Sequence, residues 1–143
     1  MSSKMLTGSF VALITPFNKD GSVDFAAFRT LLRFQEAQGT AAVLIMGSTG
    51  ETSMLSPEER KQIIVETTKM KTPRLPIFFG ATGNNTQATI DNVRFAKDNG
   101  ADGAILAAPA YICAPEADIP ERQRERPGLL AAVHIWRDLG ELQ

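Results

Sequence analysis

The residues best placed for chemistry are Ser48 and Thr49, in the run Gly47-Ser48-Thr49-Gly50-Glu51. The run follows the apolar stretch Val43-Leu44-Ile45-Met46. An apolar strand that ends in such a turn sets two hydroxyls and several backbone N–H groups at its carboxyl end. In α/β proteins ligands bind at that end. Donors without a charged side chain among them suit a small carboxylate or phosphate. The plain alternative is an ordinary turn, since Gly, Ser and Thr are common turn residues.

Other reactive residue types have quieter readings. Glu58 and Glu59 stand at a helix start, where carboxylates complement the dipole, and they are not read as catalytic acids. Cys113 reads as a small buried hydrophobe, and His134 as incidental. Phe25, Phe28, Phe78 and Phe79 are core by default. One Cys and one His cannot assemble a Cys/His zinc site. A nucleotide-phosphate loop of the Gly-x-x-x-x-Gly-Lys-Ser/Thr type is absent from the sequence.

A chain of 143 residues fits one domain with a real core. A net charge of -1 gives no electrostatic reason to expect nucleic acid or an anionic membrane. No apolar run approaches the roughly 18 residues that span a bilayer. Residues Met1 to Phe10 lack the apolar segment of a secretory signal. The single cysteine fits a reducing compartment, so a soluble cytoplasmic protein is expected.

The elements that would position the turn alternate strand and helix. Phe10 to Ile14 reads as a strand closed by Thr15-Pro16-Phe17. Asp20-Gly21 marks a turn. Asp24 is the N-cap of a helix carrying Phe25, Phe28, Leu31 and Leu32, and Gly39 its stop. Ala42 to Met46 is the second strand. Ser56-Pro57-Glu58-Glu59 predicts a capped helix start with proline at the first position, and the helix runs to about Lys71. Ile77 to Phe79 continues into Gly80-Ala81-Thr82-Gly83-Asn84-Asn85. A third helix, capped by Asn85 or Thr86, ends at Gly100, and Ala104 to Ala107 is a fourth strand. The order is βαβαβαβ with continuous apolar strands, which predicts a parallel sheet covered by helices.

These residues resemble the amino-terminal half of the dihydrodipicolinate synthase family of Schiff-base pyruvate aldolases. The motifs are Gly8 to Phe17, Gly47 to Glu51 with Leu55 to Arg60, Gly80 to Thr86, and Ala108-Pro109-Ala110-Tyr111, in family order. The resemblance covers roughly Met5 to Ile119 and implies the first half of a TIM (β/α)8 barrel. It implies that Thr49 holds the carboxylate of pyruvate with nearby backbone N–H groups, Gly50 included. It implies that Ser48 belongs to both the substrate site and a proton relay. Tyr111 is implied as the relay member that reaches a neighbouring subunit's site. Hydroxyls so placed would shuttle protons for carbinolamine and enamine intermediates. Pyruvate and a small aldehyde are the implied partners, a homotetramer the implied assembly, and no cofactor is expected. Three departures bear on substrate and assembly. Ser48 stands where the synthases proper usually have threonine. Ala110 replaces an aromatic, and Ile112-Cys113 replace a tyrosine-asparagine pair.

The family's Schiff-base lysine and second catalytic tyrosine belong to a later part of the barrel. No lysine follows Lys97 here, and Lys97 is expected on the solvated face of the third helix. The division expected is a half barrel over residues 1–119 and an aberrant tail over residues 120–143. Within that tail Leu130, Val133 and Trp136 or Arg137 have helical spacing, which predicts a short helix around Leu130 to Leu139. The change to Arg122, Arg124 and Arg126 without lysine motivates a shifted reading frame, with a truncated gene or an engineered chain as the other readings. The function expected is that of a truncated family member whose full-length relatives condense pyruvate with aspartate semialdehyde. A sister pyruvate aldolase of the N-acetylneuraminate or keto-sugar-acid type, and a non-catalytic half-barrel, are the alternatives. A half-barrel is expected to leave two unpaired parallel edges and exposed apolar side chains.

Overall fold

The computed structural model describes residues 7–107 and the backbone of residues 131–135. Four short strands, β1 (Phe10–Ala12), β2 (Ala42–Ile45), β3 (Ile77–Gly80) and β4 (Gly103–Ala107), pair in parallel in chain order. Between them run α1 (Phe25–Ala37), α2 (Pro57–Lys69) and α3 (Thr86–Asp98). The βαβαβαβ order read from the pattern is present, with boundaries moved by a residue or two; α2 stops at Lys69 rather than near Lys71.

Each helix starts where a side chain meets its orphan amides. Asp24 accepts from Ala27 N at the head of α1, and Asn85, not Thr86, accepts from Ala88 N at the head of α3. At α2 the reciprocal box is complete. The Ser56 hydroxyl takes the Glu59 amide, and the Glu59 carboxylate takes the Ser56 amide at 2.8 Å. Gly39, at φ +73°, ends α1 in the left-handed conformation that stops a helix.

The register explains where the core lies. Val43 pairs with Ile77 and Ile45 with Phe79, so these four side chains share one face of the sheet. Phe28 and Leu32 of α1 and Ile63 and Ile64 of α2 close over that face, and all eight are buried. Burial of this apolar surface is the main source of stability. Phe10, Leu44 and Phe78 lie on the opposite face, where the Phe10 and Phe78 rings meet edge-on at 5.2 Å. That face is less covered: Phe10 and Ile14 are 42% and 54% exposed. The expected exposure of apolar side chains is therefore present.

Two expectations about the carboxyl-terminal segment are corrected. Ala131–Ile135 is a strand, β5, not part of a helix, and it pairs antiparallel with β4 from Gly103↔Ile135 to Ala107↔Ala131. Val133 and Ile135 are β-branched, and the open edge of β4 offers five residues of backbone partners, which outweigh a helical spacing of three residues. The β4 edge is consequently paired and not open. Tyr111, Cys113, Trp136 and the boundary near residue 119 lie outside the described residues. Among the described residues no helix is long and apolar enough to cross a membrane.

Candidate functional site

All four parallel strands end on the same side of the sheet, and their loops gather there. The turn after β2 is built from strain at both ends. Met46 and Glu51 have φ of +59° and +54°, a region unfavourable to residues with a Cβ. Between them Gly50 N donates to Gly47 O at 3.1 Å and Glu51 N to Ser48 O at 3.0 Å. A 3-10 turn, Thr52–Met54, leads on to α2.

Ser48 and Thr49 are exposed, whereas Gly50 is buried. Among the described residues, the N–H groups and hydroxyls of Ser48 and Thr49 make no hydrogen bond. Unspent donors at the carboxyl end of a central strand are what a small anion requires. Gly50 cannot be a larger residue without crowding, because a Cβ there would stand 3.1 Å from Leu13 O and 3.2 Å from Met46 N. The turn is thus folded back onto the end of β1. Thr15, whose place before Pro16 marks only a strand end and a family motif, makes the polar tie. Its buried hydroxyl donates to Gly50 O at 2.6 Å. The bond joins residues 35 positions apart, which no local pattern announces.

The turn after β3 has similar composition and a different state. Thr82 Oγ1 accepts the Ala107 amide at 2.9 Å, Gly83 N donates to Thr89 Oγ1, and Asn92 Nδ2 donates to Ala81 O. Gly80 admits the closest approach in the region: a Cβ there would lie 2.0 Å from Met46 O. Beside it a cavity of about 540 Å³ opens between α2 and α3, with Arg60, Lys61, Thr82, Asn85 and Phe95 among its walls. Lys61 Nζ sits 5.8 Å from the centre of the Phe95 ring. Ser48 and Thr49 do not line that cavity, so the turn after β2 and this recess are separate features.

Ser48, Thr49 and Gly50 stand in one turn at the carboxyl end of β2, while Tyr111 falls outside the described residues. Lys97 is exposed on α3 as expected. Hydrogen bonds from the Ser56 backbone and hydroxyl hold the Glu59 carboxyl below its ordinary range, which fits a capping role rather than an acid's. Among the described residues no cluster of His, Cys, Asp and Glu could hold a metal.

Comparison with known proteins gives a consistent result. The dihydrodipicolinate synthetase family model matches residues 5–122. The 4-hydroxy-tetrahydrodipicolinate synthase of Hyphomonas neptunium is 46% identical over 107 residues, 75% of this chain and 36% of that protein. The crystal structure of dihydrodipicolinate synthase from Aquifex aeolicus superposes with a TM-score of 0.70 at 39% identity, over 76% of this chain and 36% of that one. The chloride-inhibited dihydrodipicolinate synthase from Acinetobacter baumannii, complexed with pyruvate, gives 0.71 at 41% identity, over 75% and 37%. The sheet and helices thus match the amino-terminal portion of TIM-barrel structures. The chain spans a little over a third of the length of the curated relatives it matches.

Proposed function

The chain belongs to the dihydrodipicolinate synthetase family, and from that premise we propose that its Gly47–Glu51 turn is the carboxylate-binding part of a pyruvate site. Thr49, through its hydroxyl and backbone N–H, and Gly50 at the turn's buried end hold the carboxylate; Ser48 joins the binding and the proton relay. The observation that carries the reading is the pair of exposed hydroxyls whose N–H groups are unspent at the carboxyl end of β2. A relative's structure complexed with pyruvate supports the ligand.

The reaction proposed for the whole barrel is condensation of pyruvate with aspartate semialdehyde in lysine and diaminopimelate biosynthesis. A lysine amine would attack the keto carbon and expel water, leaving an imine. Loss of a methyl proton would give the enamine that attacks the aldehyde, and a relay of Ser48 and Tyr111 would carry the protons. The 143 residues in hand hold no lysine beyond Lys97, so our assignment to them is the carboxylate clamp and relay, not the nucleophile. A homo-oligomer, as a tetramer, in the cytoplasm is the setting proposed, with Tyr111 serving a neighbouring subunit.

The test is a titration of the isotope-labelled chain with pyruvate, followed by NMR. Amide shifts concentrated at Ser48, Thr49 and Gly50, and abolished in Thr49→Val, are expected. Shifts confined to the α2–α3 cavity, or none, would overturn the assignment.

A further inference from the structure

We propose that Thr15 is the positioning residue of the Ser48–Thr49 turn: its buried hydroxyl is the latch that holds a strained loop in the geometry that binds a carboxylate. The inference rests on the reading of that turn as a carboxylate site, and extends it to a residue on a different strand end.

Strain comes first. Met46 and Glu51 both adopt left-handed backbone, at φ +59° and +54°, without being glycine. Such residues persist only where their surroundings over-determine them. Met46 is fixed by burial, at 2% exposure. Glu51 is exposed, and its backbone is held only from within the loop: its N–H donates to Ser48 O at 3.0 Å and its carbonyl accepts from Met54 N at 2.9 Å. Gly50, the residue before it, is where a side chain from another strand end ties the loop down: the Thr15 hydroxyl donates to the Gly50 carbonyl at 2.6 Å.

Thr15 is itself well held. It precedes Pro16, which restricts it to extended backbone and so fixes the direction of its side chain. Leu13 N donates to Leu44 O at 2.9 Å, tying the preceding residues to β2. Pro16 O accepts from the amide of Asp24, the N-cap of α1. The latch is therefore fastened to both β2 and α1, and moves only if they do. Without the hydroxyl, the Gly50 carbonyl loses a buried partner, and the strained loop keeps its internal bonds but loses this side-chain tie to the end of β1. The Ser48 and Thr49 donors would then sample many orientations, and a carboxylate would have to order them on binding.

The test compares Thr15→Val, which removes the hydroxyl at nearly constant volume, with Thr15→Ser, which restores it, in the full chain. Backbone amide order at Ser48 and Thr49, read by nitrogen-15 relaxation, is expected to fall in Thr15→Val and return in Thr15→Ser, with α3 unchanged. Pyruvate affinity is expected to fall at least tenfold and recover in parallel. Rigid Ser48 and Thr49 amides in Thr15→Val would overturn the latch. Pyruvate failing to bind the unsubstituted chain would sink the carboxylate reading alone, because amide order still judges Thr15. Should Thr15→Val not fold, the unsubstituted chain decides: the latch requires a Thr15 hydroxyl proton protected from solvent exchange, and a freely exchanging one refutes it.

Discussion

Gly47-Ser48-Thr49-Gly50 and Gly80-Ala81-Thr82-Gly83 are near copies in sequence, and each closes a strand on the same side of one sheet. They differ in where their polar groups go. Around the second, the Thr82 hydroxyl, the Gly83 amide and the Ala81 carbonyl are all consumed within the fold. In the first, the Gly47, Ser48 and Gly50 carbonyls accept bonds, but the N–H groups and hydroxyls of Ser48 and Thr49 donate none among the described residues. Composition alone does not separate a turn whose polar groups are spent in the fold from one whose donors stay free. The difference lies in long-range partners: the Ala107 amide donates to Thr82, whereas the Thr49 hydroxyl has no hydrogen-bond partner among the described residues.

The two turns should therefore fail differently when altered. The steepest contrast is at their glycines. Gly80→Ala drives a methyl to 2.0 Å from Met46 O, a backbone atom of a buried residue directly after β2. A loss of about 3 kcal/mol or more is expected, at the upper end of overpacking costs. Gly50→Ala meets its nearest backbone atoms at 3.1 and 3.2 Å and should cost about 1 kcal/mol, because small shifts relieve it. Urea midpoints of the two variants check the order; equal values would mean the β2–β3 approach is looser than described.

The threonines come next. Thr82→Val strips the Ala107 amide of its acceptor and should cost about 1 kcal/mol. Thr49→Val removes no bond within the described fold and should stay within about 0.5 kcal/mol of the parent. Yet Thr49→Val should lose pyruvate binding and Thr82→Val keep it. Stability and binding thus exchange places between the two positions, and a calorimetric melt paired with a titration reads both. A Thr49→Val chain that is destabilised as much as Thr82→Val would make the first turn structural too.

Which parts of this were legible in the sequence follows from range. Helix starts depend on residues three apart, so Asp24 and the Ser56–Glu59 box could be read directly. The parallel order followed from apolar runs with no alternation, since both faces of such strands lose water. The Ser48–Thr49–Gly50 cluster was legible because contiguous residues form it. Thr15 was not, because its partner is 35 residues away and a threonine before proline also suits a plain strand end. The left-handed Met46 and Glu51 carried no signal, since neither is a residue that favours that conformation. The pairing of β5 with β4 was hidden for the same reason as Thr15: the residues around Val133 fit a helix until a free strand edge competes for them.

The gentlest contrast lies in how each turn enters its helix. After the first turn, α2 is capped by Ser56 with an ionisable partner, Glu59; after the second, α3 is capped by Asn85 alone, with Ala88 at the matching position. At pH 7, Ser56→Ala and Asn85→Ala should each cost about 1 kcal/mol. Acid should separate them. The folded Glu59 carboxyl titrates below its ordinary value of 4.5, because the Ser56 amide and hydroxyl favour its charged form. A depressed folded value means that its stabilising contribution is fully present above pH 4.5 and is lost as pH falls through the lower, folded value. The penalty of Ser56→Ala should accordingly shrink in acid, since the reciprocal half of the box is already weakened, while that of Asn85→Ala stays level. Urea midpoints for both variants and the parent, at neutral pH and again below the ordinary glutamate range, give the comparison. If the Asn85→Ala penalty shrinks in step, the acid effect belongs to the whole fold and not to the entrance of α2.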